Sequence, residues 1–258
     1  MTSTADLLIE IGTEELPPKT LNKLSAALTN HLVKSLKEAG IGHSSIQPYS
    51  SPRRLAVLIN DVDVFQADQH VEKRGPAVKA AYDAEGNPSR AAMGFAKSCG
   101  VEFDQLQQIE TDKGAYLNFS ETKQGLAAKV LLPEMLTAAL NALPIAKRMR
   151  WGDSDTEFVR PIHWVVFLLG NEIIDAEILG ITTGRESRGH RFHHPDTVIL
   201  KQPAEYVDAM REAYVLVDQQ QRKTVVREQA EASAKTLGGQ AVIEESLLDE
   251  VTNLVEWP

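Results

Sequence analysis

The sequence predicts an α+β fold: mixed, largely antiparallel sheets with packed helices, divided into two subdomains. Three observations carry that expectation. Runs that alternate every second residue and runs with three- and four-residue apolar spacing are interspersed without regular βα alternation. Gly170 and Asn171 separate two aliphatic runs, the signature of a tight hairpin and hence of antiparallel pairing. The chain has 258 residues, 43% of them hydrophobic, which is enough core for one large or two modest domains without staples.

Taken in order, residues 6–12 set Leu7, Ile9 and Ile11 against Leu8 and Glu10 and predict a strand with one wetter face. Leu21, Leu24, Leu28, Leu32 and Leu36 then mark one face of a helix that stops at Gly40. A turn at 50–54 leads into a strand at 55–59, and residues 61–65 add a short alternating piece. Residues 83–88 read as a turn, after which Ser89 is placed to cap a helix running to Ser98. Gly94 inside that helix points to close approach of another backbone.

Residues 115–120 predict a strand. The helical spacing of 126–143 is interrupted by Pro133, so two helices or one kinked helix are expected. Residues 162–170 form a long buried strand with a partner at 172–181. Short strands follow at 197–200 and 214–218, separated by a helix at 203–213. A long polar helix at 220–237 ends at Gly238 and Gly239, and an amphipathic helix carries Leu247, Leu248, Val251, Leu254 and Val255. That last helix has no apolar partner after it, which suggests an amino-terminal piece of a longer polypeptide. The expected division is an α+β region at 1–146 and a β-rich region at 147–258.

Charge and composition narrow the function. The net charge is −9, from 27 Lys plus Arg against 36 Asp plus Glu, which excludes a chain that coats nucleic acid indiscriminately. The excess is local: residues 203–258 hold five basic and eleven acidic residues, or −6, whereas Lys147 to Arg150 is +3 and Gly184 to His194 is +2. The single Cys99 forms no internal disulfide, the amino terminus has no basic leader, and no apolar run reaches membrane-spanning length. A cytoplasmic protein is expected.

No active site emerges from residue types and spacing. The glycines lack phosphate-loop spacing, Cys99 has no nearby histidine, and a nucleophile elbow is missing. Glu14 with Glu15 and Glu244 with Glu245 are adjacent in sequence and so diverge into solvent. His190, His193 and His194, with the earlier His163, invite comparison with a metal hydrolase. However, adjacent His193 and His194 diverge in an extended segment, and the neighbouring arginines repel a divalent cation. The catalytic and metal sets are therefore expected to be empty.

What remains is an anion-seeking rim. Arg53 and Arg54 at a strand entry, then Lys147, Arg148, Arg150, Arg160, Arg185, Arg188 and Arg191, are interleaved with Trp151, Trp164 and Phe192. Guanidinium groups suit phosphate and aromatic faces suit unstacked bases, so these nine are the candidate RNA-binding residues. Against this, Trp164 and Phe192 also suit a core, and several arginines have carboxylate neighbours such as Asp153, Asp155, Glu157 and Glu186.

Several blocks together carry a family likeness: residues 7–18, SerProArgArgLeuAla at 51–56, ArgGlyPro at 74–76, MetArgTrp at 149–151, PheValArgProIleHisTrp at 158–164 and GlyHisArgPheHisHisPro at 189–195. Collinear from residue 7 to the end, they resemble the β subunits of bacterial heterotetrameric glycyl-tRNA synthetases. The resemblance implies an ATP-dependent aminoacyl-tRNA ligase of two α and two β chains that joins glycine to its tRNA. The catalytic centre, with ATP and Mg, is then expected on the α subunit. This piece is expected to be non-catalytic and to bind no cofactor, supporting contact with tRNA and with the α subunit. The stretch after residue 147 resembles the start of a B3/B4-like region. A docking scaffold without RNA contact is the alternative.

Overall fold

The computed structural model describes residues 3–83, 86–112 and 114–258. It contains two compact units, one made of Met1–Phe65 with Leu126–Pro258 and the other of Gln66–Gly125. The expected partition into 1–146 and 147–258 is thus drawn differently: residue 146 falls inside the first unit, because a strand from beyond it pairs with the amino-terminal strand.

The first unit opens with β1 (Thr4–Thr13), α1 (Pro18–Glu38), β2 (Ser45–Ser51) and β3 (Arg54–Asp63). The second unit comprises β4 (Gln69–Ala77), the single turn α2 (Val78–Ala81), α3 (Arg90–Cys99), β5 (Gln107–Thr111) and β6 (Gly114–Lys123). The first unit resumes with α4 (Ala128–Asn141), the short β7 (Met149–Arg150) and β8 (Glu157–Phe158), the long β9 (Ile162–Leu169), and β10 (Glu172–Ile173). Two small hairpins come next, β11 (Glu177–Ile178) with β12 (Ile181–Thr182) and β13 (Glu186–Arg188) with β14 (Thr197–Ile199). Helices α5 (Tyr206–Glu212), α6 (Gln219–Thr236) and α7 (Glu245–Thr252) complete the chain.

The first unit is built on a five-stranded antiparallel sheet in the order β10-β9-β1-β3-β2. Because strand side chains alternate between faces, Leu7, Ile9 and Ile11 of β1, with Leu55, Val57 and Ile59 of β3 and Val165 and Phe167 of β9, share one face. They pack against the leucine stripe of α1 and against Leu132, Leu136 and Leu140 of α4. Each fully buried side chain of this kind stabilises the unit by roughly 1.5–3 kcal/mol.

The opposite face, expected to be wetter, is also buried. Leu8, Ala56, Trp164, Val166 and Leu168 meet Val198, Leu200, Tyr206, Met210, Val215 and Val217. Residues 214–218 contribute to this second core without forming the expected strand. Their backbone bonds go instead to scattered single groups: the amides of Tyr214 and Val215 donate to the carbonyls of Arg211 and Met210, the Ser50 amide donates to the Val217 carbonyl, and the Leu216 amide donates to the Glu256 carbonyl. The partner run at 172–181 likewise breaks up, with only Glu172 and Ile173 pairing with β9 across the expected Gly170–Asn171 turn. Pro133 is accommodated within the single helix α4.

The second unit is a three-stranded antiparallel sheet, β4-β6-β5, over a small core of Ala81, Ala92 and Leu117 with Val78, Phe95, Phe103 and Leu106. Ser89 caps α3 as expected, accepting from the Ala92 amide. Of the turn expected at 83–88, Ala84 and Glu85 lie outside the described residues. The close approach expected at Gly94 is not found: a Cβ there meets nothing within 4 Å. The glycine is therefore only a helix weakness, and Gly94→Ala is expected to stabilise the second unit by about 1 kcal/mol, read as a higher urea midpoint by circular dichroism.

Candidate nucleic-acid interface

One end of the five-stranded sheet gathers the chemistry. Register places Trp164, Gly12 and Arg54 side by side on β9, β1 and β3, all on the face that carries the second core. Gly12 has no side chain because the indole of Trp164 lies over it; a Cβ built there falls inside the ring system. Glu10, two residues back along the same face, is fully buried.

Glu10 is satisfied from three elements. Trp164 Nε1 and Ser187 Oγ each donate to Oε1 at 2.5 Å, and Tyr206 OH donates to Oε2 at 2.5 Å. Arg54, itself fully buried, lies 3.7 Å from Glu10 Oε2 and 3.2 Å from Glu256 Oε1, and donates to the Arg188 carbonyl at 3.0 Å. Ser51 Oγ also donates to Glu256, at 2.9 Å. Burial opposes the charge of Arg54, but Glu256 and Glu10 outweigh it and raise its pKa. Burial and the charge of Glu10 hold the Tyr206 phenol well above its usual value, so it stays a donor.

Glu256 is brought in by a second buried arginine. Arg222 of α6 donates to the carbonyls of Thr252 and Ser50, both at 2.9 Å, and to that of Leu216. Burial lowers its pKa to about 10. Arg222 therefore remains charged at neutral pH and ties the end of α7 to β2 and to the extended segment.

Above this network lies an open cleft of about 510 Å³, lined by Glu14, Arg53, His163, Trp164, Arg188, Gly189, Arg191 and Pro195. The turn between β2 and β3 supplies Arg53, β9 supplies His163, and the β13–β14 loop supplies Arg191 and Pro195. Arg53 lies with its Cζ 5.6 Å from the centre of the Trp164 ring. Among the described residues no acceptor reaches its Nε. Partial burial lowers its pKa; Glu256 opposes this, while Arg191 and Arg54 add to it. Arg188 Nη1 donates to Thr197 Oγ1 at 2.8 Å.

Glu14 is the lining carboxylate. It takes Arg191 Nη2 at 2.9 Å and His163 Nε2 at 2.9 Å, and Arg191 also reaches Glu15 at 3.4 Å. Burial favours protonation of Glu14, but the hydrogen bonds and charges of Arg191 and His163 outweigh it and hold its carboxyl below the usual range. Three guanidinium groups thus face one carboxylate that is already engaged, an arrangement suited to an anion and unsuited to a divalent cation.

The β13–β14 loop is held in shape. Gly189 lies so close to His194 that a Cβ there would strike its carbonyl. His190 Nδ1 accepts from the amides of Phe192 and His193, each at 3.2 Å, and its ring packs against that of His193 at 4.5 Å between centres, tilted by 32°. Burial lowers the His190 pKa, Glu256 opposes, and His193, Arg53 and Arg54 add to the lowering. His190 is therefore occupied with loop structure, and His163 with Glu14. No group of three or more His, Cys, Asp or Glu side chains that could hold a metal ion occurs among the described residues.

Of the nine arginine and lysine candidates, Arg53, Arg188 and Arg191 meet in the cleft. Arg54 does not belong to the rim: with no exposure, it serves as counter-ion to two buried carboxylates. Lys147, Arg148 and Arg150 lie at or beside the β7–β8 hairpin, where Arg148 donates to the Asn141 carbonyl and Arg150 pairs with Asp155 and Glu157. Arg160 donates to the Glu15 carbonyl, and Arg185, at the far end of β9, to the carbonyls of Asn171 and Lys201. Trp164 is a core residue, 6% exposed, whereas Phe192 is 83% exposed. Sequence reasoning missed Glu10, Glu256 and Tyr206. The available signal was a lone glutamate in the middle of an apolar strand.

Comparison with known proteins identifies the family. A family model described as the glycyl-tRNA synthetase beta subunit matches residues 7–258. A glycine–tRNA ligase beta subunit of Marinobacter nauticus is 51% identical over 258 residues, covering 99% of this chain and 37% of the relative. The corresponding proteins of Hahella chejuensis and Pseudomonas aeruginosa are 48% and 49% identical, covering 98% and 99% of this chain and 37% of each relative. The chain spans little more than a third of the length of these relatives. Among the described residues no helix is long and apolar enough to cross a membrane. The arginine turn, the tryptophan strand and the histidine loop that build the cleft all lie within the matched residues, and the chain belongs to the glycyl-tRNA synthetase beta-subunit family.

Proposed function

We propose that the chain acts within a glycine–tRNA ligase as a non-catalytic part of its β subunit, holding tRNA backbone and supporting assembly with the α subunit. In this reading the whole enzyme is a cytoplasmic heterotetramer of two α and two β chains that attaches glycine to its tRNA in an ATP-dependent reaction. ATP and magnesium bind at the α subunit. The names of the relatives support the ligase assignment. Glu14, shared between Arg191 and His163, makes a poor magnesium ligand here, in keeping with that division.

The observation that carries tRNA contact is the cleft itself, in which Arg53 and Arg188 have no carboxylate partner among the described residues. Arginine in such a setting is suited to phosphate oxygens. Removing a cation that pairs with one phosphate lowers the salt dependence of binding by about one unit. Arg53→Ala and Arg188→Ala are each expected to lower that slope by about one, measured for tRNA binding by the chain between roughly 50 and 200 mM salt. Arg191→Ala is expected to change it less, because Glu14 and Glu15 already hold that guanidinium. Unchanged slopes in both of the first two variants would remove the reading.

A further inference from the structure

We infer that the surface beside the cleft is a stacking site for unpaired RNA bases, formed by a file of five rings: Phe192, His190, His193, Tyr214 and Trp257. The inference rests on the tRNA-binding reading above and specifies the class of ligand, single-stranded rather than duplex RNA. Successive ring centres are 6.2 Å apart from Phe192 to His190, 4.5 Å to His193, 5.4 Å to Tyr214 and 5.3 Å to Trp257. Phe192 is 83% exposed, Tyr214 41% and Trp257 37%. Rings in a fold normally have their faces covered, and here a line of them borders solvent.

The file is held in place before any ligand arrives. His190 Nδ1 accepts the Phe192 and His193 amides and so fixes the loop tip. Tyr214 stands at φ +59°, a left-handed conformation that a bulky residue keeps only where its surroundings impose it. The His190 amide is bonded to the Ala213 carbonyl at 2.9 Å, which joins the loop to that tyrosine's segment.

Charge identifies the occupant. Arg191 sits in the loop between His190 and Phe192, and its guanidinium is in the cleft with Arg53 and Arg188. Cations following a backbone beside rings that receive bases is how single-stranded nucleic acid is held. A duplex keeps its base faces stacked inside and offers this surface only phosphates.

The test uses fluorescence anisotropy with the chain and two labelled ligands, an oligoadenylate of about eight nucleotides, within the usual site size, and a blunt RNA duplex. The unpaired strand is expected to bind more tightly. Phe192→Ala is expected to weaken strand binding by about five- to a hundred-fold while leaving duplex binding unchanged, and Phe192→Trp, which keeps a flat face, is expected to bind like the parent. Strand binding unaltered in Phe192→Ala would overturn the stacking site, as would equal losses for strand and duplex. In both of those outcomes a weakening of both ligands by Arg188→Ala leaves the cleft reading standing. If the parent binds neither ligand, both readings fall. If Phe192→Ala changes only the self-association of the chain, seen by sedimentation, the file is a protein contact and the inference is overturned.

Discussion

Arg54→Ala is expected to destabilise the first unit by about 3–5 kcal/mol, the usual consequence of removing one partner from a buried charge pair. The substitution leaves Glu10 and Glu256 buried without their counter-ion, removes the bond to the Arg188 carbonyl, and takes a cation from 5.7 Å over the Trp164 ring. Most of the loss comes from the stranded carboxylates rather than from the worth of the pair itself. One consequence separates a stranded charge from simple loss of packing. The double variant Arg54→Met with Glu256→Gln, which removes one charge of each sign, is expected to be less damaged than Arg54→Ala alone. Trp151, Trp164 and Trp257 all lie in the first unit and none in the second. Tryptophan fluorescence during urea unfolding therefore reads this unit alone. Parity between Arg54→Ala and the parent at neutral pH would show that the network carries no stability.

The parts of this fold that were legible in the sequence are those whose periodicity is local. The leucine stripe of α1, the aliphatic run of β9, the turn at Gly170 and Asn171, and the Ser89 cap each depend on residues within a few positions of one another. What was not legible depends on who covers whom. Glu10 reads as the mark of a wet face because nothing near it in sequence is its partner. Ser187 and Tyr206, far along the chain, turn it into a buried acceptor. Arg222 lies in a polar helix and reads as solvated, yet three carbonyls from three other segments surround it. Residues 214–218 have strand composition, but their backbone hydrogen bonds go to single groups of Met210, Arg211, Ser50 and Glu256 rather than to a ladder.

The candidate site divides in the same way. The arginine pair at 53 and 54 was visible as anion-seeking, but sequence alone did not tell that adjacent residues at a strand entry point to opposite fates. Arg54 falls on the inward face opposite Gly12, while Arg53 is left in the turn. The histidine-rich loop was visible as unusual. Its conversion into a line of rings needed Tyr214, which packs against His193, and Trp257, which packs against Tyr214, both from other segments.

Gly12→Ala is expected to destabilise the first unit by about 3 kcal/mol, an overpacking penalty with the loss of a buried hydrogen bond added. Gly12 pairs with Trp164 on one side and Arg54 on the other, and the indole occupies the space a side chain would need. β1 is central and paired on both sides, so its backbone has little room to retreat. The tryptophan must yield instead. As it moves it gives up its bond to Glu10 and its place beneath Arg53 and Arg54, so a single methyl group disturbs both the buried network and the floor of the cleft. The expected signature is a loss of near-ultraviolet dichroism from an immobilised indole, together with a lower unfolding midpoint by tryptophan fluorescence. The compensating variant Gly12→Ala with Trp164→Phe, whose ring is smaller and has no N–H to satisfy, is expected to recover part of the overpacking penalty but none of the Glu10 bond. A Gly12→Ala protein that matches the parent in both measurements would mean that the indole does not rest on β1, and the account of the cleft floor would fall with it.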